Sequence, residues 1–368
     1  MIIALDMGGT NIDAVILKDN KVIKVIKEPV DFNNMFKSIW DVISSLLENI
    51  NKDDISKVNL STTISTNAII ENKTNKVGLI IQTGPGLIIN NNDAYKISGY
   101  TDHRGVVVSN FNDNEVIKIK DIFIKDNIKD IAIVTKFSTR NNETELKIKS
   151  MLENNFDNIT LGHLMSGNLN FPRRINTAYL NASVKDIFIS FAENTIKSFK
   201  QLNIDIPINI LKADGGVMDL SDAKDLPVQT IMSGPAARLM GTLGLTNINT
   251  DAIILDIGGT TTDIFFLADG IPLFEPTGIN IKEYKTLVRS IYSKSIGLGG
   301  DSVIKLQNNQ IVIGPERKDK AAALGGKYPT PTDALIVLNK TNLGNVDLSN
   351  KAISKLANEI NLSIKETA

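Results

Sequence analysis

Leu5-Asp-Met-Gly-Gly-Thr-Asn-Ile-Asp13 lies near the start of the chain, and a very similar stretch, Leu255-Asp-Ile-Gly-Gly-Thr-Thr-Thr-Asp263, recurs 250 residues later. Each copy follows a short apolar run and leads into a second apolar run, which stops at a turn pair, Asp19-Asn20 or Asp269-Gly270. A strand, a Gly-Gly turn, a second strand and a tight turn are typical of a β-hairpin. Two such hairpins in one chain indicate two related domains.

The two Gly-Gly turns have the chemistry of a phosphate site. Backbone without Cβ atoms approaches an anion closely, its N–H groups can converge on that anion, and threonine hydroxyls add donors. A single copy is also ordinary strand-to-turn sequence, but two matching copies favour function. The sequence therefore predicts nucleotide phosphate contacts from eight residues, Gly8, Gly9, Thr10, Asn11, Gly258, Gly259, Thr260 and Thr261.

An aspartate precedes each turn at the end of a strand. Magnesium keeps several waters and takes one or two protein carboxylates in such sites, so Asp6 and Asp256 are predicted metal ligands. Either acid is also a candidate catalytic residue that aligns or deprotonates an attacking group. Asp13 and Asp263 lie one strand residue past each turn. They are predicted to lie behind Asp6 and Asp256 without contacting the metal directly.

Ser61-Thr-Thr-Ile-Ser-Thr-Asn67 carries five hydroxyl residues in seven positions. These side chains could line a pocket, with Thr62 and Thr63 facing a substrate and Asn67 holding a carbonyl or ring amide. The alternative is that the hydroxyls cap the following helix, with Ser65 or Thr66 at its N-cap. The residues themselves favour neither interpretation.

Other signals are weaker. In Gly297-Leu-Gly-Gly-Asp-Ser302, Gly299 and Gly300 could pass close to a ribose or phosphate, although a plain glycine-rich turn is equally compatible. Asp214-Gly-Gly216 and Ser233-Gly-Pro235 could border the site or be turns. His163 lies in an apolar stretch, which favours a core role over catalysis. Arg173-Arg174 could bind a carboxylate, but such pairs are more often solvated or structural.

Composition excludes several classes of protein. A net charge of −1 over 368 residues gives no excess of positive charge that would bind nucleic acid or a membrane surface. No cysteine is present, so disulfides and thiolate chemistry are impossible, and we predict a cytoplasmic protein. No apolar run approaches the roughly 20 residues of a membrane helix. Neither of the common nucleotide loops that open a helix occurs.

Strands alternate with helices along the chain, which predicts α/β layers. Apolar residues at helical spacing predict a helix from Asn34 to Asn49, and Ile159–Met165 is predicted as a strand. A single long helix is predicted from Ile175 to Leu202, where it could link the two halves. We place the domains at residues 1–170 and 171–368.

Together these motifs resemble the hydantoinase A/oxoprolinase family, within the superfamily of actin, sugar kinases and heat-shock chaperones. The resemblance runs nearly end to end and rests on motifs that follow in family order. These are Met7–Asp13, Thr62–Glu71, Asp214–Met218, Ser233–Ala236, Asp256–Asp263, Ile296–Gly300 and Thr332–Ala334.

The resemblance implies an α/β fold of two actin-like (ribonuclease H-like) domains that face each other across a nucleotide cleft, with mixed sheets and helices on their faces. It implies ATP and Mg²⁺ as cofactors. The implied reaction cleaves or activates a cyclic amide, such as a hydantoin, oxoproline or a related lactam, by phosphoryl transfer to the amide oxygen. A second, hydantoinase B-like subunit and a homo-oligomer are also expected, without nucleic-acid or membrane partners.

Two departures from the family pattern affect this expectation. Asp301 stands where relatives commonly have a further glycine, which places a negative charge near the predicted nucleotide. Relatives also continue into a later glycine-rich segment that helps enclose adenosine, so a fragment, a short form or loss of tight ATP binding is expected. The alternative functions are a non-catalytic ATP-dependent switch or reactivation factor, and a small-molecule kinase.

Overall fold

The structure is a computed structural model that describes residues 1–19, 21–89, 94–308 and 310–368. Asn20, in the first predicted turn pair, lies outside the described residues. The chain divides into two compact units. Unit 1 contains Met1–Met240 and Phe274–Ile291, and unit 2 contains Gly241–Leu273 and Tyr292–Ala368. The family domains predicted at 1–170 and 171–368 are a different kind of division and stay a prediction.

The strands of both units, in chain order, are β1 (Ile2–Met7), β2 (Asn11–Lys18), β3 (Lys21–Pro29), β4 (Lys57–Thr62), β5 (Val77–Gln82), β6 (Ala94–Lys96), β7 (Tyr100–Thr101), β8 (Val107–Ser109), β9 (Asp130–Thr135), β10 (Asn158–Leu161), β11 (Ile208–Leu211), β12 (Val217–Asp219), β13 (Ala252–Ile257), β14 (Thr262–Ala268), β15 (Ile271–Pro272), β16 (Asn280–Ile281), β17 (Tyr284–Lys285), β18 (Ser293–Ile296), β19 (Ile304–Gln307) and β20 (Gln310–Ile313).

The helices are α1 (Met35–Leu46), α2 (Ile64–Ile70), α3 (Asp113–Lys125), α4 (Glu143–Leu152), α5 (Gly162–Met165), α6 (Phe171–Ser183), α7 (Lys185–Gln201), α8 (Leu220–Ala223), α9 (Ser233–Leu245), α10 (Pro331–Val337), α11 (Val346–Ile360) and α12 (Ile364–Thr367). Within the described residues, none of them is both long and apolar enough to cross a membrane.

The main sheet of unit 1 has the strand order β12-β11-β4-β1-β2-β3. β1 and β2 form the predicted antiparallel hairpin, while β4 runs parallel on the other edge of β1. β3 continues the meander beside β2. The carboxyl ends of β1 and β4 therefore lie side by side, which brings the Gly8-Gly9 turn next to the segment that follows β4.

Helices α1 and α7 cover one face of this sheet. The apolar face of α1 packs into the same core cluster as the inward side chains of β1 and β2, and Phe188 and Phe191 of α7 join it. The predicted helix from Asn34 to Asn49 is confirmed as α1. It begins where it does because the Asn34 side chain accepts a hydrogen bond from the N–H of Lys37, which caps the first turn.

Unit 1 also contains a parallel sheet with the order β10-β9-β5-β6. Every residue of β5 and β9 is buried, as expected for strands that are covered on both faces. The predicted strand Ile159–Met165 is wrong beyond Leu161, because α5 starts at Gly162. A Cβ atom at Gly162 would lie 2.8 Å from both the Glu145 carboxylate and the Val134 side chain, so a larger residue would displace them.

The single helix predicted from Ile175 to Leu202 is also wrong, because two helices occupy that range. α6 ends at Ser183 and α7 starts at Lys185. Val184 lies between them with φ −110° and ψ 2°, outside the helical region. The apolar period continues across the break because both helices pack against the unit 1 core, so the spacing of apolar residues does not reveal the interruption.

The second hairpin, β13–β14, is the centre of the unit 2 sheet. β14 pairs with β13 on one edge and with β15 and β18 on the other. The turn between β14 and β15 is Asp269-Gly270. Both residues have positive φ, 49° and 76°, which is the conformation that a two-residue hairpin turn requires. Helices α10 and α11 pack with β19 in a separate small core.

The two hairpins differ in how they are covered. In unit 1, Ile3, Leu5 and Met7 of β1 are at most 6% exposed. Their counterparts in β13 are Ile253, Leu255 and Ile257, which are 65%, 55% and 66% exposed. Within the described residues β13 has no strand on its second edge, unlike β1. The repeated sequence therefore gives the same hairpin but not the same packing.

Candidate functional site

The first Gly-Gly turn, between β1 and β2, is closed by one bond from the N–H of Gly8 to the carbonyl of Asn11, 2.9 Å long. The N–H groups of Gly9 and Thr10 donate to no partner within the described residues. The Asn11 amide donates to the Thr10 hydroxyl at 3.0 Å. The turn thus presents unused backbone donors at the end of the hairpin, which is what an anion site requires.

The hydroxyl-rich segment lies beside this turn. Thr62 ends β4 opposite Met7, and both the Thr62 hydroxyl and the Thr63 N–H donate to the Met7 carbonyl at 3.1 Å. Asn67, one turn into α2, donates to the Thr63 hydroxyl at 3.1 Å. A Cβ atom added to Gly9 would lie 3.1 Å from the Asn67 amide nitrogen. Thr62, Thr63 and Asn67 are therefore brought to the turn.

The alternative interpretation is wrong in naming Ser65 or Thr66 as the N-cap, although one hydroxyl of the segment does bond the start of α2: the Thr62 hydroxyl accepts from the N–H of Ile64 at 3.2 Å. α2 begins at Ile64, so Ser65 and Thr66 lie within the helix, and its N-cap is Thr63, which makes no side-chain capping bond. The Thr66 hydroxyl instead accepts from the N–H of Met232 at 2.9 Å. The Ser65 hydroxyl is buried without a hydrogen-bond partner in the described part of the chain.

Ser233-Gly-Pro235 borders the same place. The Ser233 hydroxyl donates to the Thr62 carbonyl at 3.2 Å, and a Cβ atom on Gly234 would be 3.7 Å from the Thr63 methyl group. Three separate sequence signals, the first Gly-Gly turn, residues 61–67 and the start of α9, thus meet within unit 1.

The second Gly-Gly turn, in unit 2, repeats the geometry of the first. The N–H of Gly258 donates to the Thr261 carbonyl at 2.9 Å, and the N–H groups of Gly259 and Thr260 have no partner within residues 1–19, 21–89, 94–308 and 310–368. Gly300 donates to the Gly258 carbonyl at 2.9 Å. The predicted segment around Gly299 and Gly300 is therefore in direct contact with this turn.

The contact between the two unit 2 segments leaves no room for side chains. A Cβ atom on Gly299 would lie 2.6 Å from the Gly258 carbonyl oxygen and from backbone atoms of Gly259. Thr332 supports the same loop, because its N–H and its hydroxyl donate to the Gly300 carbonyl. Glycine at position 299 is thus required by the close backbone approach, which is independent of any ligand.

Asp301 lies over the second turn. Its N–H donates to the Gly259 carbonyl at 2.7 Å, and a Cβ atom on Gly259 would be 2.7 Å from its carboxylate. The same carboxylate pairs with the guanidinium of Arg317 at 2.8 Å. Arg317 carried no signal in the sequence, because only the fold brings it to the turn.

The aspartates beside the turns form cross-strand pairs. Asp6 lies opposite Asp13, and Asp256 lies opposite Asp263. Like charges directly opposite in a sheet are unfavourable unless a cation offsets them. Lys27 pairs with Asp13 at 2.9 Å, while Asp6 is exposed. Within the described residues no group of three or more His, Cys, Asp or Glu side chains is placed to hold a metal.

These acids fit a hydrated magnesium ion, which needs one or two carboxylates rather than a cage of three. The exposed Asp6 in unit 1 and Asp256 in unit 2 are the residues that would offer them. Their metal and catalytic roles, and the phosphate contacts of the two turns, stay predictions.

Two further signals are structural. Asp214 accepts from the N–H of Gly216 at 3.0 Å and pairs with Lys212, which closes the turn between β11 and β12. Arg173 donates to three backbone carbonyls between Thr277 and Thr286, so it ties the 274–291 segment to α6. The Arg173 guanidinium is therefore used by backbone carbonyls rather than by a substrate carboxylate.

His163 belongs to a buried polar group that the sequence did not reveal. The Glu145 carboxylate is fully buried and accepts from the N–H of Thr135 at 2.8 Å and from the N–H of His163 at 2.9 Å, and it lies 2.7 Å from His163 Nδ1. Burial lowers the pKa of the nearby Arg174 guanidinium, while the charge of Glu145 opposes that shift. The predicted core role of His163 agrees with these contacts.

Two solved structures share the fold. The ATP-dependent caprolactamase of Pseudomonas jessenii matches all of this chain with a TM-score of 0.81 and 20% identity. The nucleotide-free structure of acetone carboxylase matches all of it with a TM-score of 0.74 and 18% identity. In both cases the match covers 60% of the other chain. These matches confirm the predicted mixed α/β fold, and the cleft between its domains stays a prediction.

Sequence relatives extend beyond this chain. An uncharacterized protein of Methanocaldococcus jannaschii is 24% identical over 424 residues, and the caprolactamase subunit alpha of Pseudomonas jessenii is 22% identical over 421 residues. Both alignments include 100% of this chain but 62% and 60% of the relatives. The chain thus spans about three fifths of the length of these curated relatives.

Family profiles match most of the chain. The profile described as Hydantoinase/oxoprolinase N-terminal region matches residues 2–156, and the one described as Hydantoinase/oxoprolinase matches residues 174–368. Together they include both Gly-Gly turns and the segments that contact them, and the second alone covers more than half of the chain. The chain belongs to the hydantoinase/oxoprolinase family.

Proposed function

We propose that this protein is an ATP-dependent hydrolase that opens a cyclic amide, such as a hydantoin, oxoproline or a related lactam. The observation that carries the proposal is the duplicated Gly-Gly turn, which in each unit presents backbone N–H groups without a protein partner among the described residues. Family membership and the similarity to a caprolactamase support the substrate class.

Each turn binds phosphate groups of ATP in this proposal. Gly8, Gly9, Thr10 and Asn11 act in unit 1, and Gly258, Gly259, Thr260 and Thr261 act in unit 2, with Gly299 and Gly300 holding the second turn in place. Backbone donors suit this task because they are already fixed by the hairpins, so little ordering is needed when the anion binds.

In the same proposal, Asp6 in unit 1 and Asp256 in unit 2 would each offer a carboxylate to a magnesium ion bound with phosphate at its own turn. When bound, the ion neutralises charge that builds up on the phosphates during transfer. The cross-strand neighbour Asp13 adds a second negative charge beside Asp6, which favours a cation there. Lys27 limits that effect by pairing with Asp13.

An amide carbonyl is a poor electrophile, which is why a nucleotide is needed. The amide oxygen attacks the γ-phosphorus of ATP, the bond to ADP breaks, and the phosphorylated oxygen becomes a good leaving group. Water then attacks the carbon, the C–N bond of the ring breaks, and the nitrogen takes up a proton, which leaves an acyl phosphate. A second water hydrolyses this acyl phosphate to the carboxylate and inorganic phosphate. The protein supplies position and charge compensation.

Thr62, Thr63 and Asn67 are the residues that we assign to the substrate side. Asn67 lies against Gly9 and keeps an amide group at the turn, where it can donate to the oxygen of the reacting amide. The Thr63 hydroxyl orients that amide group by accepting from it. We also propose a second subunit, because the caprolactamase relative is named as a subunit alpha.

Asp256→Ala tests the proposal. With ATP, magnesium and a panel of hydantoins, oxoproline and lactams, the wild-type protein and its partner subunit should release ring-opened product and ADP in equal amounts. The variant should lose at least about a hundredfold in rate, since phosphoryl transfer depends strongly on the compensation of negative charge in the transition state. Ring-opened product is measured by mass spectrometry and ADP by a coupled assay.

Asp251→Ala is the control, because Asp251 is an exposed acid in the same unit. It should leave the rate unchanged. Ring opening by Asp256→Ala at the wild-type rate would contradict the role of Asp256. A stable phosphorylated product would point to a small-molecule kinase, and ATP hydrolysis that needs a protein client would point to a switch or reactivation factor.

A further inference from the structure

In each unit one side chain lies over the second glycine of the Gly-Gly turn, and the two side chains differ in charge. In unit 1 it is the neutral Asn67, whose amide nitrogen is 3.1 Å from a Cβ atom built on Gly9. In unit 2 it is the acidic Asp301, whose carboxylate oxygen is 2.7 Å from a Cβ atom built on Gly259. The first group attracts a phosphate, and the second repels it.

Arg317 compensates that charge at the same place. Its guanidinium is 2.8 Å from the Asp301 carboxylate, and its central carbon is 3.8 Å from the Cβ position of Gly259. The Asp301 side chain is 18% exposed and that of Arg317 is 48% exposed. Both ends of the ion pair therefore face the turn, and the guanidinium remains accessible to solvent.

The contacts of Asp301 distinguish it from the carboxylates that stabilise this fold. Asp333 and Glu145 are fully buried and accept several backbone N–H bonds. Within the described residues the Asp301 carboxylate pairs with Arg317 alone, although the free N–H groups of Gly259 and Thr260 belong to the turn beneath it. Asp301 therefore does not satisfy the backbone that it covers.

We propose that Arg317 is a phosphate-binding residue of unit 2 and that Asp301 is an internal competitor that holds its guanidinium until a polyphosphate enters. The inference rests on the proposed nucleotide site. When a polyphosphate binds, the guanidinium leaves the Asp301 carboxylate and contacts phosphate oxygens, which it can bind in a bidentate geometry. The pair thereby lowers affinity for weakly charged anions and favours polyphosphates.

Titration calorimetry with ATP, and separately with inorganic tripolyphosphate, tests the proposal on the full chain. Asp301→Asn should bind both ligands about tenfold more tightly, because the competing charge is gone. Arg317→Gln should bind both about tenfold more weakly, because the charged donor is gone. Asp301→Ser is a second variant in case the asparagine amide disturbs the loop.

Asp102→Asn is a matched control. Asp102 pairs with Arg104 at 2.7 Å and is 15% exposed, so the length of the ion pair and the exposure of the acid are similar. It lies in unit 1 between β7 and β8 and also accepts backbone N–H bonds from Arg104 and Val106. This variant should bind both ligands like the wild type. Hydrogen exchange of residues 257–262 with tripolyphosphate should show protection that is strongest in Asp301→Asn and weakest in Arg317→Gln.

Three results would overturn the proposal. They are affinities of Asp301→Asn and Arg317→Gln within twofold of the wild type, weaker binding by both Asp301 variants, and no polyphosphate binding by any variant. Failure of the proposed function looks different. In that case the affinities shift as expected, but the wild-type protein with its partner releases no ring-opened product.

Discussion

Asp333 illustrates how a residue can belong to a recognisable motif and still have a structural role. Its carboxylate is fully buried and accepts bonds from the N–H groups of Ala322, Ala323 and Thr330 and from the hydroxyls of Thr330 and Ser349. It caps α10 and holds the loop before that helix together. The Thr332–Ala334 motif is therefore explained by folding, with Thr332 as its link to the Gly300 loop.

Replacing Asp333 by Ala should reduce the free energy of local unfolding in unit 2 by at least about 3 kcal/mol, because several buried donors lose a charged acceptor. Hydrogen exchange of the amides in residues 320–338 measures that free energy. Asp347→Ala is the control, since Asp347 is exposed at the start of α11, and it should change the value by no more than about 0.5 kcal/mol. Equal protection in both variants would contradict the structural role.

Asp130 gives a pH dependence with a definite sign. Burial raises the pKa of Asp130 above its ordinary value of 3.8, and the nearby Asp186 charge adds to the rise, while a bond from Asn75 opposes it. An acid whose pKa is raised by folding binds its proton more tightly in the folded state than in the unfolded state. The stability that this proton contributes is lost as the pH rises through the folded-state pKa.

Asp130→Asn should therefore be more stable than the wild type at pH 7, and the difference should shrink as pH falls through the folded-state pKa toward 3.8. Urea unfolding followed by the fluorescence of Trp40 measures this, because Trp40 is the sole tryptophan and lies in α1 of unit 1. A difference that grows on acidification would contradict the assignment.

At the scale of elements, the two hairpins show that one sequence pattern can pack in two ways. Leu5 and Leu255 occupy equivalent positions in β1 and β13, yet Leu5 is 6% exposed and Leu255 is 55% exposed. Helices α1 and α7 and the neighbouring β4 cover the first strand. Within the described residues no strand or helix does the same for β13.

Leu5→Ala should lower the free energy of unfolding of unit 1 by about 2–4 kcal/mol, because it removes buried methyl groups and leaves a cavity. Leu255→Ala should change that of unit 2 by no more than about 0.5 kcal/mol, because the side chain is already in water. Trp40 fluorescence measures the change in the unfolding free energy of unit 1, and hydrogen exchange of β14 measures the change in unit 2. Losses of similar size would show that β13 is covered in solution.

The elements that the sequence predicts well are those that local residues determine. The hairpins and α1 are recognisable because their periods and turn residues act locally, through Gly-Gly turns and the Asn34 cap. The break at Val184 and the early end of β10 at Leu161 are not, because they depend on neighbours far along the chain. Gly162, for example, is needed because Glu145 and Val134, both distant in sequence, lie against it.

The described part of the chain consists of two compact units. The segment 274–291 returns to unit 1, where Ile281 and Val288 join the core around α6, while β19, α10 and α11 form their own cluster in unit 2. Unit 2 also carries the exposed apolar face of β13. A smaller core with an uncovered sheet face is expected to be less stable.

Urea unfolding should therefore show two transitions. Far-ultraviolet circular dichroism, which detects both units, should begin to change at a lower urea concentration than Trp40 fluorescence, which reports unit 1 alone. Nucleotide that binds the turns should shift the transition of the unit to which it binds upward. Coincident transitions by both probes without nucleotide would contradict independent cores.

The sequence by itself determined the repeated hairpin, the Gly-Gly turns and the family, because these depend on residues close together in the chain and on their chemical types. Only the tertiary structure decided that Asn67 lies over one turn while Asp301, neutralised by Arg317, lies over the other. It also decided that β1 is buried and β13 is exposed. The physical reason is that such contacts join residues distant in sequence, and packing alone determines which of them meet.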